Sequence, residues 1–156
     1  MRAGARARAA GASLTVPALG RLFAYGTLMV GCSRRPLLGP AAALEAPARV
    51  RGSLYDFGEY PGLVLDGAGW VAGEVYRVPD LADRLPALDR AEGYDPADEA
   101  GSLYVRRRAP ARLAGGSSRE VWVYLINGPG GPPGGGPRIP SGDWRAHVAV
   151  RGALSG

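Results

Sequence analysis

Lysine and glutamine are absent from this 156-residue chain, and cysteine, histidine and asparagine occur once each, as Cys32, His147 and Asn127. A single cysteine excludes an intramolecular disulfide and a cysteine-based zinc cluster. A single histidine leaves most zinc and non-haem iron sites without their ligands. No G-x-S-x-G elbow marks a serine for a triad built on His147. A nucleophilic Cys32 paired with His147 stands against the commoner role of a lone cysteine as a small buried side chain. Chemistry without a metal or a cofactor is therefore expected. No uninterrupted apolar run approaches the ~20 residues of a membrane span. The first 20 residues also lack the apolar stretch of a secretory signal. The expectation is a soluble, cytoplasmic protein with no membrane partner.

Charge says less than it first suggests. All 19 basic residues are arginine, against 14 acids, and glycine (25) and proline (14) abound. A GC-rich coding sequence produces that pattern whatever the protein does. Arg2, Arg6 and Arg8 lie in an acid-free N-terminal stretch, and the rest of the chain is close to balance. Without a basic strand interleaved with aromatics, no nucleic-acid partner is expected. The length suits one folding unit, large enough to bury roughly 70% of its unfolded surface without a staple.

Residues 1–20 lack periodicity and read as a disordered extension, leaving a domain over 21–152. Strands are expected at Arg21–Tyr25, at Arg49–Phe57, at Leu63–Leu65, and at Trp70–Val78, where apolar and polar residues alternate. Two more, Ser102–Leu113 and Glu120–Ile126, flank a Gly-Gly-Ser-Ser turn and predict a hairpin. Gly67, Gly69 and Gly73 come close to a dinucleotide fingerprint, but the third glycine is one place late and a strand follows where a helix is required. The best helix is Asp80–Glu92, capped by Asp80 or Asp83, with regular turns starting close to Pro86. Residues 128–137 are ten consecutive Gly or Pro, expected as an exposed, mobile loop without the Lys-Ser/Thr end of a P-loop. Trp144 should re-enter the core.

Two features carry possible chemistry. At ~100° per residue Leu81, Leu85 and Leu88 share one helix stripe, and Glu92 falls inside it. A carboxylate ending an apolar face is partly desolvated, which raises its pKa toward the range of a general acid or base. The alternative is that the helix frays at Gly93 and turns Glu92 to solvent. The second feature is Tyr25-Gly26-Thr27-Leu28, where glycine after a buried strand lets a ligand approach the backbone and free amides can hold a carboxylate. A plain strand-ending turn is the alternative there.

Six segments occur in a telling order: Phe23-Ala24-Tyr25-Gly26-Thr27-Leu28; Leu54-Tyr55-Asp56 with Tyr60-Pro61-Gly62-Leu63; V-x-G-E-V-Y-x-V over 71–78; Leu88-Asp89-Arg90-Ala91-Glu92-Gly93-Tyr94; Tyr104-Val105-Arg106; and Val121-Trp122-Val123-Tyr124. With them the chain resembles the gamma-glutamylcyclotransferase-like superfamily over about residues 21–145, in particular its small bacterial and gamma-glutamylamine cyclotransferase-like members. The resemblance implies an α+β fold, a small mixed β-barrel with flanking helices. It implies Glu92 as the acid/base, and a loop of Tyr25, Gly26, Thr27 and Leu28 that holds the alpha-amino-acid end of the substrate. It matches Tyr104 and Tyr124 to tyrosines of the substrate site. The activity implied is conversion of a gamma-glutamyl amine or peptide to 5-oxoproline, with a small-molecule gamma-glutamyl substrate as partner; the alternative is a non-catalytic small-ligand-binding protein on the same fold. Glu74 and Glu59 are the next candidates for the base. Met29-Val30-Gly31-Cys32 departs from the family, which often has a long polar residue and an asparagine after the Y-G-T-L loop.

Overall fold

A computed structural model describes residues 19–29, 32, 34–127 and 136–155, the side chains of 153–155 excepted. Residues 1–18 of the expected 1–20 extension and residues 128–135 of the Gly/Pro segment lie outside the described residues; Gly20, by contrast, accepts from the Val78 amide at 2.8 Å and belongs to the fold.

The described strands are β1 (Arg21–Ala24), β2 (Ala43–Arg51), β3 (Ser53–Asp56), β4 (Pro61–Val64), β5 (Trp70–Arg77), β6 (Tyr104–Leu113) and β7 (Ser118–Ile126). Five of them close a barrel in the order β1-β5-β2-β6-β7. Neighbours run antiparallel except β7 and β1, which meet in parallel at Leu22 and Trp122 and complete the ring. Closure removes the unpaired edges that an open sheet would expose. Phe23, Val50, Val71, Val75, Val121 and Val123 fill the interior, each nearly or completely inaccessible. The α+β barrel with flanking helices is thus the fold the sequence implied, and β6 and β7 form the expected hairpin.

The single strand expected over 49–57 is two strands. A Cβ on Gly52 would lie 2.4 Å from the Val64 carbonyl oxygen. That close approach lets the chain leave the barrel at Gly52 and pair as β3 with β4, Ser53 opposite Val64 and Asp56 opposite Pro61. The last residues of the Gly/Pro segment are not free either. The Asp56 amide donates to the Pro137 carbonyl at 2.9 Å and the Ile139 amide to the Leu54 carbonyl at 2.7 Å. A Cβ on Gly136 would lie 1.3 Å from the Asp56 carbonyl oxygen, so only glycine fits against this edge.

Helix α1 (Leu81–Ala91) buries Leu81, Leu88 and Asp89. Asp80 occupies the N-cap position, but its carboxylate turns to Arg84 at 2.8 Å and makes no capping bond. The turns do not start close to Pro86, which is the sixth residue of the helix. Pro86 and Ala82 are both exposed, so water can serve the Ala82 carbonyl that a proline amide cannot reach. Helix α2 (Trp144–Ser155) was not expected beyond its buried first residue, Trp144. Its seat is Asp56, which pairs with His147 Nε2 at 2.6 Å and accepts from Arg151 Nη1 at 3.1 and 3.2 Å. No helix among the described residues is long and apolar enough to cross a membrane.

Candidate active site

Strand β1 ends at Ala24, and the chain then turns sharply, with the Met29 amide donating to the Gly26 carbonyl at 3.1 Å and the Arg34 amide to the Thr27 carbonyl at 2.7 Å. Gly26 is buried, and a Cβ there would meet Pro61 Cγ at 2.8 Å, so the loop is pressed onto β4. The amides of Gly26, Thr27 and Leu28 find no acceptor among the described residues. Thr27 is half-buried, whereas Leu28 packs into the core. The loop faces a cleft of about 460 Å³ whose other walls come from the end of α1, the Glu59–Pro61 turn, Leu103, Tyr104 and Tyr124.

Glu92 stands at the back of this cleft. Its amide closes the last turn on the Leu88 carbonyl at 3.0 Å. Gly93 then takes φ +68°, the left-handed conformation that ends a helix cheaply only with glycine. The chain turns away at Gly93, as the sequence suggested, yet the glutamate does not: its side chain is only 11% exposed. Arg34 Nη1 reaches it from the loop after β1, donating at 2.5 Å to Glu92 Oε2 and at 2.7 Å to the Ala91 carbonyl. Burial pushes the Glu92 carboxyl above its ordinary value, and the Arg34 charge and hydrogen bond pull back without cancelling the rise. Glu59 also lines the cleft but is exposed. Glu74 does not line it; on β5 it meets Arg145 at 3.1 Å on another face of the barrel.

The three tyrosines implicated by resemblance all present their rings to the cleft and spend their hydroxyl protons on its walls. Tyr25 donates to the Tyr124 carbonyl at 2.5 Å and accepts from the Leu63 amide at 3.2 Å. Tyr124 donates to Asp89 Oδ1 at 2.7 Å, and Tyr104 donates to the Pro61 carbonyl. Burial raises all three phenols above their ordinary value. They stay protonated at any physiological pH and cannot serve as bases. Lone pairs on Tyr104 and Tyr124 remain to accept a hydrogen bond from a ligand.

Sequence reasoning missed two residues here, Arg34 and Asp89. Asp89 is 5% exposed and accepts a bidentate pair from Arg106, Nε at 2.9 Å and Nη2 at 3.1 Å, besides the Tyr124 hydroxyl. The Arg106 guanidinium is itself held over the Trp122 ring at 4.4 Å. A line of hydrogen bonds from Asp89 through Tyr124 and Tyr25 to Leu63 therefore fixes α1, β7, the β1 loop and β4 to one another. A signal for Asp89 was available: it lies one residue past Leu88, on the edge of the helix stripe. None pointed to Arg34. Among the described residues no three His, Cys, Asp or Glu side chains converge to hold a metal ion.

Removing the Tyr25 hydroxyl should be felt in stability, because the Tyr124 carbonyl and the Leu63 amide are both buried. Tyr25→Phe is expected to cost about 1–3 kcal/mol, or about 2–4 °C of melting temperature per kcal/mol in a chain of this size. An unchanged thermal melt would show that the hydroxyl ties nothing together.

A closed mixed barrel with a glycine loop and a buried glutamate facing one cleft defines a class, and sequence comparison agrees with it. A model of the family described as "Gamma-glutamyl cyclotransferase, AIG2-like" matches residues 22–146, and the chain belongs to that family. Among curated proteins it is similar to "Putative gamma-glutamylcyclotransferase YkqA" of Bacillus subtilis (strain 168), 30% identical over 132 residues that make up 83% of this chain and 42% of YkqA. The chain thus spans less than half the length of that relative. The YkqA crystal structure superposes with a TM-score of 0.66 at 25% identity, covering 86% of this chain and 43% of YkqA. The solution structure of ytfP from Escherichia coli gives a TM-score of 0.53 at 30% identity, over 80% of this chain and 95% of ytfP. An AIG2-like protein of Mus musculus shares the fold, with a TM-score of 0.56 at 23% identity over 70% of this chain and 78% of its own.

Proposed function

We propose that the protein is a gamma-glutamyl cyclotransferase that uses Glu92 as its acid/base and releases 5-oxoproline from a gamma-glutamyl amine or peptide. The observation that carries this reading is the Glu92 carboxylate, 11% exposed at the back of the cleft and pushed above its ordinary pKa by burial. A carboxyl raised in this way is moved toward the range in which one group can both take a proton and return it.

In this reading the alpha-carboxylate of the substrate binds the amides of the Gly26–Leu28 loop, which have no acceptor among the described residues, and the adjoining alpha-ammonium meets Glu92. Only Oε2 of Glu92 is taken by Arg34, which leaves Oε1 to receive a proton from the ammonium. The freed amine attacks the gamma-carbonyl of its own chain, forming the C–N bond of a five-membered ring and a tetrahedral oxyanion. Collapse of that intermediate breaks the bond to the leaving nitrogen, which takes the proton back from Glu92 and departs as an amine, while the ring nitrogen gives up its second proton to the freed Glu92 carboxylate and so to water. Because nucleophile and electrophile share one molecule, most of the rate enhancement falls to holding the chain curled and to stabilising the oxyanion.

Incubating the purified protein with gamma-glutamyl-lysine, gamma-glutamyl-alanine and glutathione, and assaying 5-oxoproline, tests the proposal. Product from at least one of them is expected. Ligand-dependent thermal stabilisation without product would instead identify a binding protein on the cyclotransferase fold.

A further inference from the structure

The reaction above assigns partners to Glu92 Oε1 and to the loop amides, and leaves one set of donors in the cleft unclaimed. Arg34 spends Nη1 on Glu92 and on the Ala91 carbonyl, while Nε and Nη2 donate to no described group. Its side chain is 44% exposed and lines the cleft, where the other cation among the described residues is Arg90, also exposed. A guanidinium anchored by one nitrogen keeps its planar fork oriented, and the free edge of such a fork matches a carboxylate.

Position decides which carboxylate. The guanidinium sits against Glu92, which serves both the alpha nitrogen and the leaving nitrogen; with the alpha-carboxylate given to the loop amides, the carboxylate left for the guanidinium is the one beside the leaving nitrogen. In a gamma-glutamyl alpha-amino acid the leaving nitrogen carries an alpha-carbon bearing a carboxylate. In a gamma-glutamyl amine it carries only hydrocarbon. We propose that Arg34 is a specificity-determining residue that reads the carboxylate of the leaving amino acid, making gamma-glutamyl alpha-amino acids the preferred substrates over gamma-glutamyl amines. The inference rests on the cyclotransferase reading.

The test compares gamma-glutamyl-alanine with gamma-glutamyl-ethylamine, which differ only by replacement of that carboxylate with hydrogen, in the wild type, Arg34→Gln and Arg34→Lys. Because Arg34 also touches Glu92, both rates should fall in Arg34→Gln; the ratio of the two kcat/KM values isolates the carboxylate contact. The wild type should favour gamma-glutamyl-alanine about 10- to 100-fold, the scale of a hydrogen-bonded contact to a charged group. Arg34→Gln should bring the ratio to about one, and Arg34→Lys should restore part of it. A ratio near one in the wild type, or a wild-type ratio kept by Arg34→Gln, overturns the inference and leaves the cyclotransferase reading intact. If neither compound is turned over, the cyclotransferase reading falls only when gamma-glutamyl-lysine and glutathione also give no product, and calorimetric titration of the same pair decides for Arg34 alone. Tighter binding of gamma-glutamyl-alanine that Arg34→Gln abolishes supports it, and equal or absent binding overturns it.

Discussion

Glu92→Gln is expected to lower 5-oxoproline release at least ~100-fold, the lower end of what a positioned acid/base contributes. Glutamine keeps the shape and can still accept from Arg34; it loses the proton carrier and the charge that pairs with Arg34. The same substitution should not destabilise the protein. Burial raises the Glu92 pKa above its unfolded value, so the fold favours the protonated form; that stabilisation is complete below the unfolded value and is lost as pH rises through the raised one. Above the raised value the wild type carries a carboxylate the fold disfavours, and there Glu92→Gln should melt at the same temperature or slightly higher. A variant that keeps its activity would move the acid/base elsewhere, first to Glu59, which lines the cleft, and not to Glu74, which lies outside it.

The largest loss of stability should come from Asp89→Ala. Asp89 and Arg106 are 8% and 16% exposed at their side chains. Removing the acid leaves a guanidinium facing the Tyr94 and Trp122 rings and a Tyr124 hydroxyl without its acceptor. Breaking a buried pair from one side costs about 3–5 kcal/mol, a large share of the roughly 5–15 kcal/mol that holds a domain together. The denaturant midpoint should fall with its slope unchanged. Adding Arg106→Met to Asp89→Ala should recover part of the loss, because the stranded charge goes with it. A single-variant effect below about 1 kcal/mol would place the pair among ordinary surface ion pairs.

The contrast between Glu92 and Arg34 shows how far the sequence could be read. Glu92 was legible because a helix repeats: its place on the Leu81-Leu85-Leu88 stripe follows from periodicity, and the structure adds only that the side chain stays inward when the backbone turns at Gly93. Arg34 sits in a loop with no period, 58 positions before its partner, and nothing local relates the two. Asp89 is intermediate, since its helix face was readable while Arg106 and Tyr124 arrive from separate strands. The same distinction runs through the fold. Alternation at Trp70–Arg77 and the turn between β6 and β7 announce strands, but the parallel contact of β7 with β1 that closes the barrel is a pairing across 100 residues that no local pattern encodes. The first half of β2, Ala-Leu-Glu-Ala-Pro, does not alternate and contains a proline that a strand rarely admits. Helix α2 was readable in principle. Asp143 caps it through Oδ1 to the Ala146 amide at 3.1 Å, and Trp144, His147, Val148 and Arg151 recur at helical spacing, but the preceding Gly/Pro run hides that signal.

Glu92 can be watched directly. In protein labelled with 13C at glutamate carboxyls, its resonance is identified by its loss in Glu92→Gln and titrated beside the pH profile of kcat/KM for 5-oxoproline release, whose acid limb reports the free enzyme. The expected result is a Glu92 midpoint above the ordinary carboxylate value of 4.5, with the acid limb falling at the same pH. A Glu92 that titrates at or below that value, or an acid limb that falls at a different pH from its resonance, would contradict its role as the acid/base.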